Sequence, residues 1–529
     1  MLATMIRSFL TVSSGTLASR LLGFVRDSIM AALLGAGPVA DAFLVAFQGV
    51  NVVRRLLTEG ALNAALVPAW LRVRETGGAA AAAAFAGSVL GTVSAALVVA
   101  TALLGLAMPL VISALAPGFS GTTLQLAVDD SRLMLPYLAF AGPVTVMMAL
   151  SNAQGRFALT AFSPLLFNIA LIAVMTALLV WRRDAADAAL IVAATVGFAG
   201  LLQLLVLAWR SRAGSLATPL KISFDPPMRG FLAKSVPGMI ASAGPQLLVL
   251  AGAVIASASP SVVSWLYFAN RLIELPLGIV GIAMGSVLVP EVSRSVQAGD
   301  RAAIAHAESR GLELAVGLAL PAMLGFMVLS EPIVKMLFQH GAFTAADTAA
   351  TAQTLMVLAL GLPAHVLIKA VSPAFFARGD TLTPLWATLK GIAVAIALAV
   401  VLGHFYGAGG IAAGLAMGAW SSAFSLIRRG AATFGVSIDE AARRRLPRIV
   451  AAAFAMGALL WLTATYALPL VTEAHGLAQA VLLLMLISAG IAIYGLFLAL
   501  FGVTGWRQAV GAFRQIPASD LRDRGPHGK

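Results

Sequence analysis

The sequence contains no cysteine and few charged residues. Without cysteine the chain forms no disulfide bond, no thiolate metal site and no cysteine nucleophile. Asp, Glu, Lys and Arg together make up 11% of the 529 residues, whereas a soluble domain carries about 25%. Because 60% of the residues are hydrophobic, too little polar surface remains for water to solvate the chain, and lipid must cover much of it.

Patterns typical of enzymes are also missing. No glycine-rich loop followed by lysine is present, which excludes nucleotide hydrolysis by that route. The six histidines show no metal-ligand spacing, and no His-Asp pair or acidic cluster suits a transferase. Asp129 and Asp130 lie near the outer end of a predicted span, where we expect a solvated helix start rather than a metal pair. The sequence therefore predicts no enzyme, no cofactor and no metal site.

Long apolar stretches follow one another along almost the whole chain. A helix needs about 20 apolar residues to cross the hydrocarbon, and windowing predicts about 14 such spans, the first of them part of the mature protein. The fold class is thus an all-α polytopic membrane protein. The approximate span cores are 8–34, 39–70, 82–114, 126–154, 160–181, 188–209, 232–258, 262–292, 312–330, 351–376, 384–403, 408–427, 449–470 and 477–501.

Basic residues are distributed unevenly between the loops that join these spans. With the N-terminus inside, the predicted outer loops hold only Arg182, Arg183 and Lys335, and the other basic loop residues lie inside. Lys and Arg accumulate on the cytoplasmic side of membrane proteins, so we expect both termini in the cytoplasm. The same bias explains the net charge of +13 without nucleic acid as a partner. The run of arginines at 443–445 is expected to contact anionic lipid headgroups.

A weak internal repeat divides the chain. Leu-Val-Pro followed by arginine occurs within 66–72 and again within 288–294. An even number of spans separates the copies, which therefore run parallel. The predicted domains are an N-terminal bundle of spans 1–6 (1–219), a C-terminal bundle of spans 7–12 (220–440), and spans 13 and 14 with a cytoplasmic tail (441–529). Glycines four residues apart within 410–418 permit close helix packing.

Charged side chains inside the predicted spans cluster in the first, second and eighth spans. A charge at the bilayer centre costs from about 2.5 kcal/mol to more than about 10 kcal/mol, so such residues face a partner or a water-filled cavity. The cluster consists of Arg20, Arg26 and Asp27 in the first span, Asp41, Arg54, Arg55 and Glu59 in the second, and Arg271 and Glu274 in the eighth.

Spacing predicts partners for some of these charges. Arg271 and Glu274 are three residues apart and can pair on one helix face. Glu59 follows Arg55 by four residues and Arg54 by five, so either arginine can pair with it. The two arginines of the first span point in different directions unless the helix breaks at Gly23. One interpretation is therefore an ion-pair network that locks the bundles together.

A second interpretation is a site for an anionic ligand. The arginines outnumber the carboxylates in this set, and an unpaired buried arginine is costly. The planar fork of arginine binds phosphate through two hydrogen bonds. The excess of arginine therefore predicts a phosphate or pyrophosphate inside the membrane.

Several ordered motifs resemble those of the MurJ/MviN lipid II flippase family, which belongs to the multidrug/oligosaccharidyl-lipid/polysaccharide exporter superfamily. They extend over most of the chain, and the span count agrees with the family. The motifs are SRLLGFVRD at 19–27, DAFLVAF at 41–47, RRLLTEGA at 54–61, YFANRLIELPLG at 267–278, LFQHGAF at 337–343 and ARGDTLTP at 377–384.

The resemblance implies two lobes that alternate between inward-open and outward-open states around lipid II, an undecaprenyl-pyrophosphate-linked disaccharide-pentapeptide. A groove between spans 13 and 14 is expected to hold the polyprenyl tail. The family's cavity arginines correspond to Arg20, Arg26, Arg54 and Arg271, and its gate or partner positions to Asp41 and Glu59. The spacing of the charges adds Asp27, Arg55 and Glu274 as ion-pair positions.

The resemblance also implies a location and a source of energy. We expect a bacterial inner membrane protein driven by the membrane potential or by an ion gradient, with Asp380 as a candidate for coupling to an unidentified ion. Asn270 stands where some relatives have Asp. The expected partners are lipid II, membrane lipids and proteins of cell-wall synthesis.

Alternative functions belong to related transporters and to a membrane enzyme. A flippase for another polyprenyl-pyrophosphate-linked oligosaccharide would also bind pyrophosphate, and only the motifs speak against it. A multidrug exporter of the same superfamily favours cations and a carboxylate-rich cavity, which the excess of arginine opposes. A membrane transferase would need the acidic cluster or His-Asp pair that the sequence lacks.

Overall fold

The computed structural model describes residues 2–58, 61–154, 156–211, 220–241, 244–284, 288–434, 439–471 and 476–503. Regular structure in these ranges is helical, which confirms the all-α fold class, and each predicted span falls on one or two helices. The helices are α1 Leu2–Leu34, α2 Pro38–Thr58, α3 Ala61–Leu115, α4 Gly121–Met134, α5 Pro136–Ala153, α6 Phe157–Val180, α7 Ala185–Ser211, α8 Pro226–Ala241, α9 Gly244–Ala256, α10 Val262–Ala283, α11 Val289–Ala298, α12 Arg301–Phe338, α13 Ala345–Ala359, α14 Leu362–Phe376, α15 Leu382–Thr433, α16 Glu440–Val471 and α17 Leu477–Leu500.

Two of the longest helices each supply two predicted spans. Among the described residues, nine helical stretches are long and apolar enough to cross a membrane, and two of them contain 51 and 52 residues. Each of these two bends at a glycine with positive φ, Gly78 (77°) in α3 and Gly407 (55°) in α15. Glycine adopts this conformation without the steric cost of a Cβ, so each helix bends sharply without a separate loop.

One compact unit consists of Met1–Glu274, Glu331–Gly361 and Leu382–Ser422. In its core α1 packs against α6, α3 against α5, and α2 against α4, while α7 contacts α4, α5 and α6. Large side chains such as Phe43 and Leu150 are buried there. The helices α1 and α2, which carry most of the predicted site residues, both pack against α7 in this unit.

A second compact unit consists of Leu275–Ser330, Leu362–Thr381 and Ala423–Lys529. In it α16 packs against α17, and the Tyr494 hydroxyl donates a hydrogen bond of 2.8 Å to the Gly317 carbonyl of α12. The domain boundaries near residues 219 and 440 stay predictions.

The outward surfaces of the helices are apolar. Leu106 and Leu110 of α3 are 80% and 77% exposed, and Val180 at the end of α6 is 74% exposed. Exposed side chains of this kind would aggregate in water, whereas they match the hydrocarbon of a bilayer.

The predicted close packing at the glycines of 410–418 is present within α15. A Cβ on Gly414 would lie 2.6 Å from the Ala399 Cα and 2.9 Å from its Cβ, and one on Gly418 would lie 2.9 Å from the Ala395 Cα. The two halves of α15 on either side of Gly407 therefore touch backbone to backbone, as small residues allow in membrane helices.

We expect Gly414→Ala to lower the free energy of unfolding by about 1–3 kcal/mol, because backbone must move to admit the methyl group. The matched control is Gly409→Ala, since nothing lies within 4 Å of a Cβ at that position. Thermal unfolding of the purified protein in detergent measures the difference. Equal midpoints for the two variants would show that the α15 contact contributes no stability.

Candidate functional site

Asp27 of α1 lies between two arginines. Its Oδ1 accepts hydrogen bonds from Arg26 Nε (2.9 Å) and Nη2 (2.6 Å), and its Oδ2 lies 2.6 Å from Arg271 Nε of α10. The N–H of Arg271 is not aligned with this oxygen, so the second contact is an ion pair rather than a directed hydrogen bond. The Asp27 side chain is fully buried, and its charge is offset by two guanidinium groups.

The same chain of charges continues to α2. Arg271 Nη1 donates to Glu274 Oε2 at 2.8 Å, and Arg55 Nη2 lies 3.5 Å from Glu274 Oε1. Three arginines thus alternate with two carboxylates among the described residues, in the order Arg26, Asp27, Arg271, Glu274 and Arg55. We call these five residues the charged network. It confirms the Arg271–Glu274 pair that spacing predicts.

The charged network is mostly buried at Arg26 and Asp27 and partly exposed at Glu274 and Arg55. The side chains of Asp27 and Arg26 are 0% and 11% exposed, that of Arg271 is 22% exposed, and those of Arg55 and Glu274 are 30% and 32% exposed. The network therefore has a buried end, where the charges serve packing, and an accessible end, where an ion from solution can reach them.

The buried end is held by neighbouring helices. Arg26 Nη1 donates to Asn168 Oδ1 of α6 at 3.1 Å, and Asn168 Nδ2 donates to the Ser19 carbonyl of α1 at 3.2 Å. The Arg26 guanidinium also lies 5.0 Å from the centre of the Phe47 ring of α2, a cation–π distance. All three nitrogens of this guanidinium have partners, so its orientation is fixed.

Gly23 of α1 makes room for a side chain from another helix. The helix α1 is continuous from Leu2 to Leu34, so the break that a glycine would permit does not occur, and Arg20 and Arg26 project in different directions. A Cβ at this position would lie 2.7 Å from Arg271 Nη2. The glycine leaves room for the Arg271 side chain to cross α1, and tertiary contact rather than backbone freedom explains its presence.

Asp41 caps α10 and lies apart from the charged network. Its carboxylate accepts hydrogen bonds from the backbone N–H of Ser261 (2.6 Å) and of Ser264 (2.9 Å) and from the Ser264 hydroxyl (2.5 Å). A carboxylate at a helix N-terminus is stabilised by the free N–H groups and by the helix dipole. Asp41 thereby joins the start of α2 to the start of α10.

A second contact lies at the same end of α1. The Ala342 N–H, in the turn between α12 and α13, donates to the Ala32 carbonyl of α1 at 2.8 Å. A Cβ on Gly35 would lie 2.7 Å from the Ala342 carbonyl oxygen, so the backbones pack without side chains between them. The predicted topology places this end outside. Together with the Asp41 cap, the contact closes this end of the unit, and we call the two contacts the outer closure.

One side-chain contact at this end was not predicted from the sequence. Trp265 Nε1 donates to Asp347 Oδ1 at 3.1 Å, and Asp347 forms a capping box with Thr344 at the start of α13. Threonine followed three residues later by an acidic residue is a helix-start pattern and could have located α13. Nothing in the sequence indicates the partner Trp265.

The remaining candidates occupy separate places. Arg20 is exposed on α1, and Arg54 Nε of α2 donates to Asn51 Oδ1 at 3.2 Å. Glu59 lies outside the described residues. Asp380 follows α14, and its backbone N–H donates to the Phe375 carbonyl at 3.0 Å. No group of three or more metal-ligating side chains is found in the described part of the chain.

Comparisons with known proteins agree with each other. A family model described as "Lipid II flippase MurJ" matches residues 30–488. The "Probable lipid II flippase MurJ" of Rhizobium meliloti (strain 1021) is 36% identical over 508 residues, which cover 95% of this chain and 94% of the relative. The protein of the same name from Rhizobium tropici is 33% identical over 530 residues, covering 98% and 99%.

Solved structures show the same fold. "Lipid II flippase MurJ, inward closed conformation" has a TM-score of 0.77 at 22% identity and covers 95% of this chain and all of that chain. An inward-facing multidrug resistance MATE family transporter of the MOP superfamily has a TM-score of 0.63 at 13% identity, covering 81% and 95%. At these identities the likeness shows a shared fold.

We expect Asp27→Ala to lower the free energy of unfolding by about 3–5 kcal/mol, because Arg26 and Arg271 would lose the carboxylate that they share in a buried site. Glu274→Ala is the matched control, and since Glu274 is partly exposed, its loss should cost only about 0–1 kcal/mol. Denaturation of the purified proteins in detergent compares them. Equal losses would contradict the assignment of Asp27 as the centre of the buried end.

Proposed function

Because this chain belongs to the MurJ family and is a lipid II flippase, we propose that the accessible end of the charged network binds the pyrophosphate of lipid II during transport. The protein is accordingly a multi-pass protein of the bacterial inner membrane. The observation that supports the site is the rise in exposure from Asp27 to Glu274 along alternating charges.

The physical need for such a site is desolvation. The headgroup of lipid II carries charged and polar groups that cannot enter hydrocarbon without losing their hydration. Arginine side chains replace that hydration, and their planar forks match two phosphate oxygens at once. The polyprenyl tail can stay in lipid throughout, in a groove that we propose lies between α16 and α17.

We infer that the pyrophosphate enters by exchange of partners. Glu274 bridges Arg271 and Arg55 and is the most exposed member of the charged network. A pyrophosphate that takes its place keeps both guanidiniums paired while carrying more negative charge. Arg54 and Arg20 extend the basic surface, and Arg26 joins the phosphate only if Asp27 turns away from it.

Release requires that the two states of the transporter bind the ligand differently. Opening of the outer closure breaks the Asp41 hydrogen bonds to the start of α10. Because Arg271 is on α10 and Arg26 is on α1, a movement of α10 away from α1 separates the arginines. A dispersed set of arginines holds pyrophosphate more weakly, so we propose that the outward state releases the lipid.

The membrane potential favours this direction. Each negative charge that leaves a negative interior gains about 2.3 kcal/mol per 100 mV. We propose that both termini lie in the cytoplasm, which makes the end closed by Asp41 the periplasmic one. Membrane lipids and proteins of cell-wall synthesis are the further partners that we propose.

The alternatives have less support. A flippase for another lipid-linked oligosaccharide would use the same chemistry, but both relatives described above are named for lipid II. Multidrug transporters share the fold at 13% identity, and a site with more arginines than carboxylates does not suit a cation.

We expect Arg54→Ala and Arg26→Ala to abolish delivery of lipid II to the outer leaflet, because Arg54→Ala removes a cation next to the accessible end and Arg26→Ala leaves Asp27 paired with Arg271 alone. The control is Arg183→Ala, an exposed arginine in the turn after α6. Labelling of lipid II at the outer surface of cells depleted of the native protein measures delivery, and immunoblotting of membranes confirms insertion. Normal labelling in the inserted variants would refute the binding role of these arginines.

We expect Asp41→Ala to expose the outer end of α2, because three hydrogen bonds to α10 lose their acceptor. The chain has no cysteine, so a single Ala40→Cys substitution provides a clean probe at a site that is 1% exposed. A membrane-impermeant maleimide should label this cysteine faster in the Asp41→Ala background than in the Asp187→Ala control. Equal rates would show that Asp41 does not hold this end closed.

A further inference from the structure

Asp130 of α4 is buried without a partner. The sequence placed it with Asp129 at a solvated helix start, but this expectation is wrong for Asp130, which is 0% exposed. Its helix begins at Gly121, so Asp130 is more than two turns inside. Neither of its carboxylate oxygens has a hydrogen-bond partner in the described structure, and neither does the hydroxyl of the adjacent Ser131.

The charged groups on α4 and the helices that pack against it do not compensate Asp130. The helix α4 contacts α2, α3, α5 and α7. Three arginines on these elements have other partners: Arg132 donates to the Gly105 carbonyl, Arg54 donates to Asn51, and Arg55 pairs with Glu274.

Among the described side chains of α2, α4 and α7, the other charged groups are acidic. They are Asp129 beside it in α4, Asp187 in the first turn of α7, and Asp41, whose carboxylate caps α10. The other titratable groups are Tyr137 at the start of α5, which is buried, and Arg72, Arg74 and Glu75 in α3, which lie before the bend at Gly78. An ionised Asp130 would therefore have no counter-charge within 4 Å in the described structure.

Burial of a carboxylate without a counter-charge costs several kcal/mol, and such a group takes up a proton instead. The neutral acid leaves one O–H unpaired, which costs far less than a bare charge. The Asp130 side chain thus holds a proton as long as α2 and α7 cover it.

We propose that Asp130 is a proton-binding site of the transport cycle, loaded while α4 is packed against α2 and α7 and emptied when these helices separate. This proposal rests on the proposed function and supplies its coupling ion. In the step a carboxylate oxygen binds one proton from water, and the same O–H bond breaks when water returns. No other bond changes.

The link to the substrate is the helix α2. One part of α2 packs against α4, and its last turns carry Arg54 and Arg55 of the proposed phosphate surface. A movement of α2 that shifts Arg54 and Arg55 therefore also changes the packing of α2 against α4, the helix of Asp130. Water that reaches the three unpaired oxygens of Asp130 and Ser131 would stabilise the ionised form, so proton release and substrate movement occur in the same step.

The test uses purified protein in liposomes that contain lipid II, with the membrane potential clamped to zero and a pH gradient imposed. We expect the gradient to change the rate of lipid II flipping several-fold in the native chain. The Asp130→Asn variant, which mimics the protonated acid, should flip lipid II at a rate that does not respond to the gradient. Asp129→Asn is the matched control and should respond as the native chain does.

Each outcome separates this proposal from the proposed function. Flipping by the native chain that ignores the pH gradient, or that responds to a sodium gradient at constant pH, would overturn the proton site and leave the flippase intact. A complete absence of lipid II flipping would count against the proposed function itself. Infrared difference spectroscopy gives an independent readout, because the band of a protonated carboxyl should be present in the native protein and absent in Asp130→Asn. Its persistence in that variant would also overturn the proposal.

Discussion

A single buried carboxylate determines how the membrane part of this protein holds its charges. Asp27 is fully buried and touches the guanidiniums of Arg26 and Arg271, so two helices that would repel each other are joined instead. Isolated arginines within a bilayer are costly. One carboxylate shared by two arginines neutralises only one of them, so the group keeps a net positive charge. That residual charge lies towards the accessible end of the charged network, where a phosphate is a suitable counter-ion.

The helix α10 is held by the hydrogen bonds of Asp41 and by the ion pairs of Asp27, and these two sets of contacts respond differently to water. This difference suits alternating access. At the outer closure Asp41 is bound by backbone N–H groups and a hydroxyl, each contributing about 1.5–3 kcal/mol as hydrogen bonds to a charged group. Water can replace these donors when the end opens. The ion pairs of Asp27 are buried, so water cannot replace them. If Asp27 separates from its arginines, another anion has to pair with these arginines instead. Opening therefore depends on whether an anion is bound to the charged network.

Several features of the chain could be predicted from its residues. Apolar runs predict the helices because length and hydrophobicity suffice to specify a membrane span. The family motifs and the excess of arginine in the first and second spans predict the substrate class. The spacing of Arg271 and Glu274 predicts their pair, since side chains three residues apart meet on a helix. The solvated position predicted for Asp130 is wrong, because the burial of this residue comes from helices distant in the sequence.

The sequence by itself determined the class of the protein, its spans and the unusual placement of its charges, because hydropathy and local spacing act within one helix. Only the tertiary structure decided which charges meet. It joined α1 to α10 through Asp27, made Asp41 a cap for α10, and buried Asp130 in α4, a helix that packs against α2 and α7. These contacts join residues that lie up to 244 positions apart, and their energies depend on burial, which no local pattern encodes.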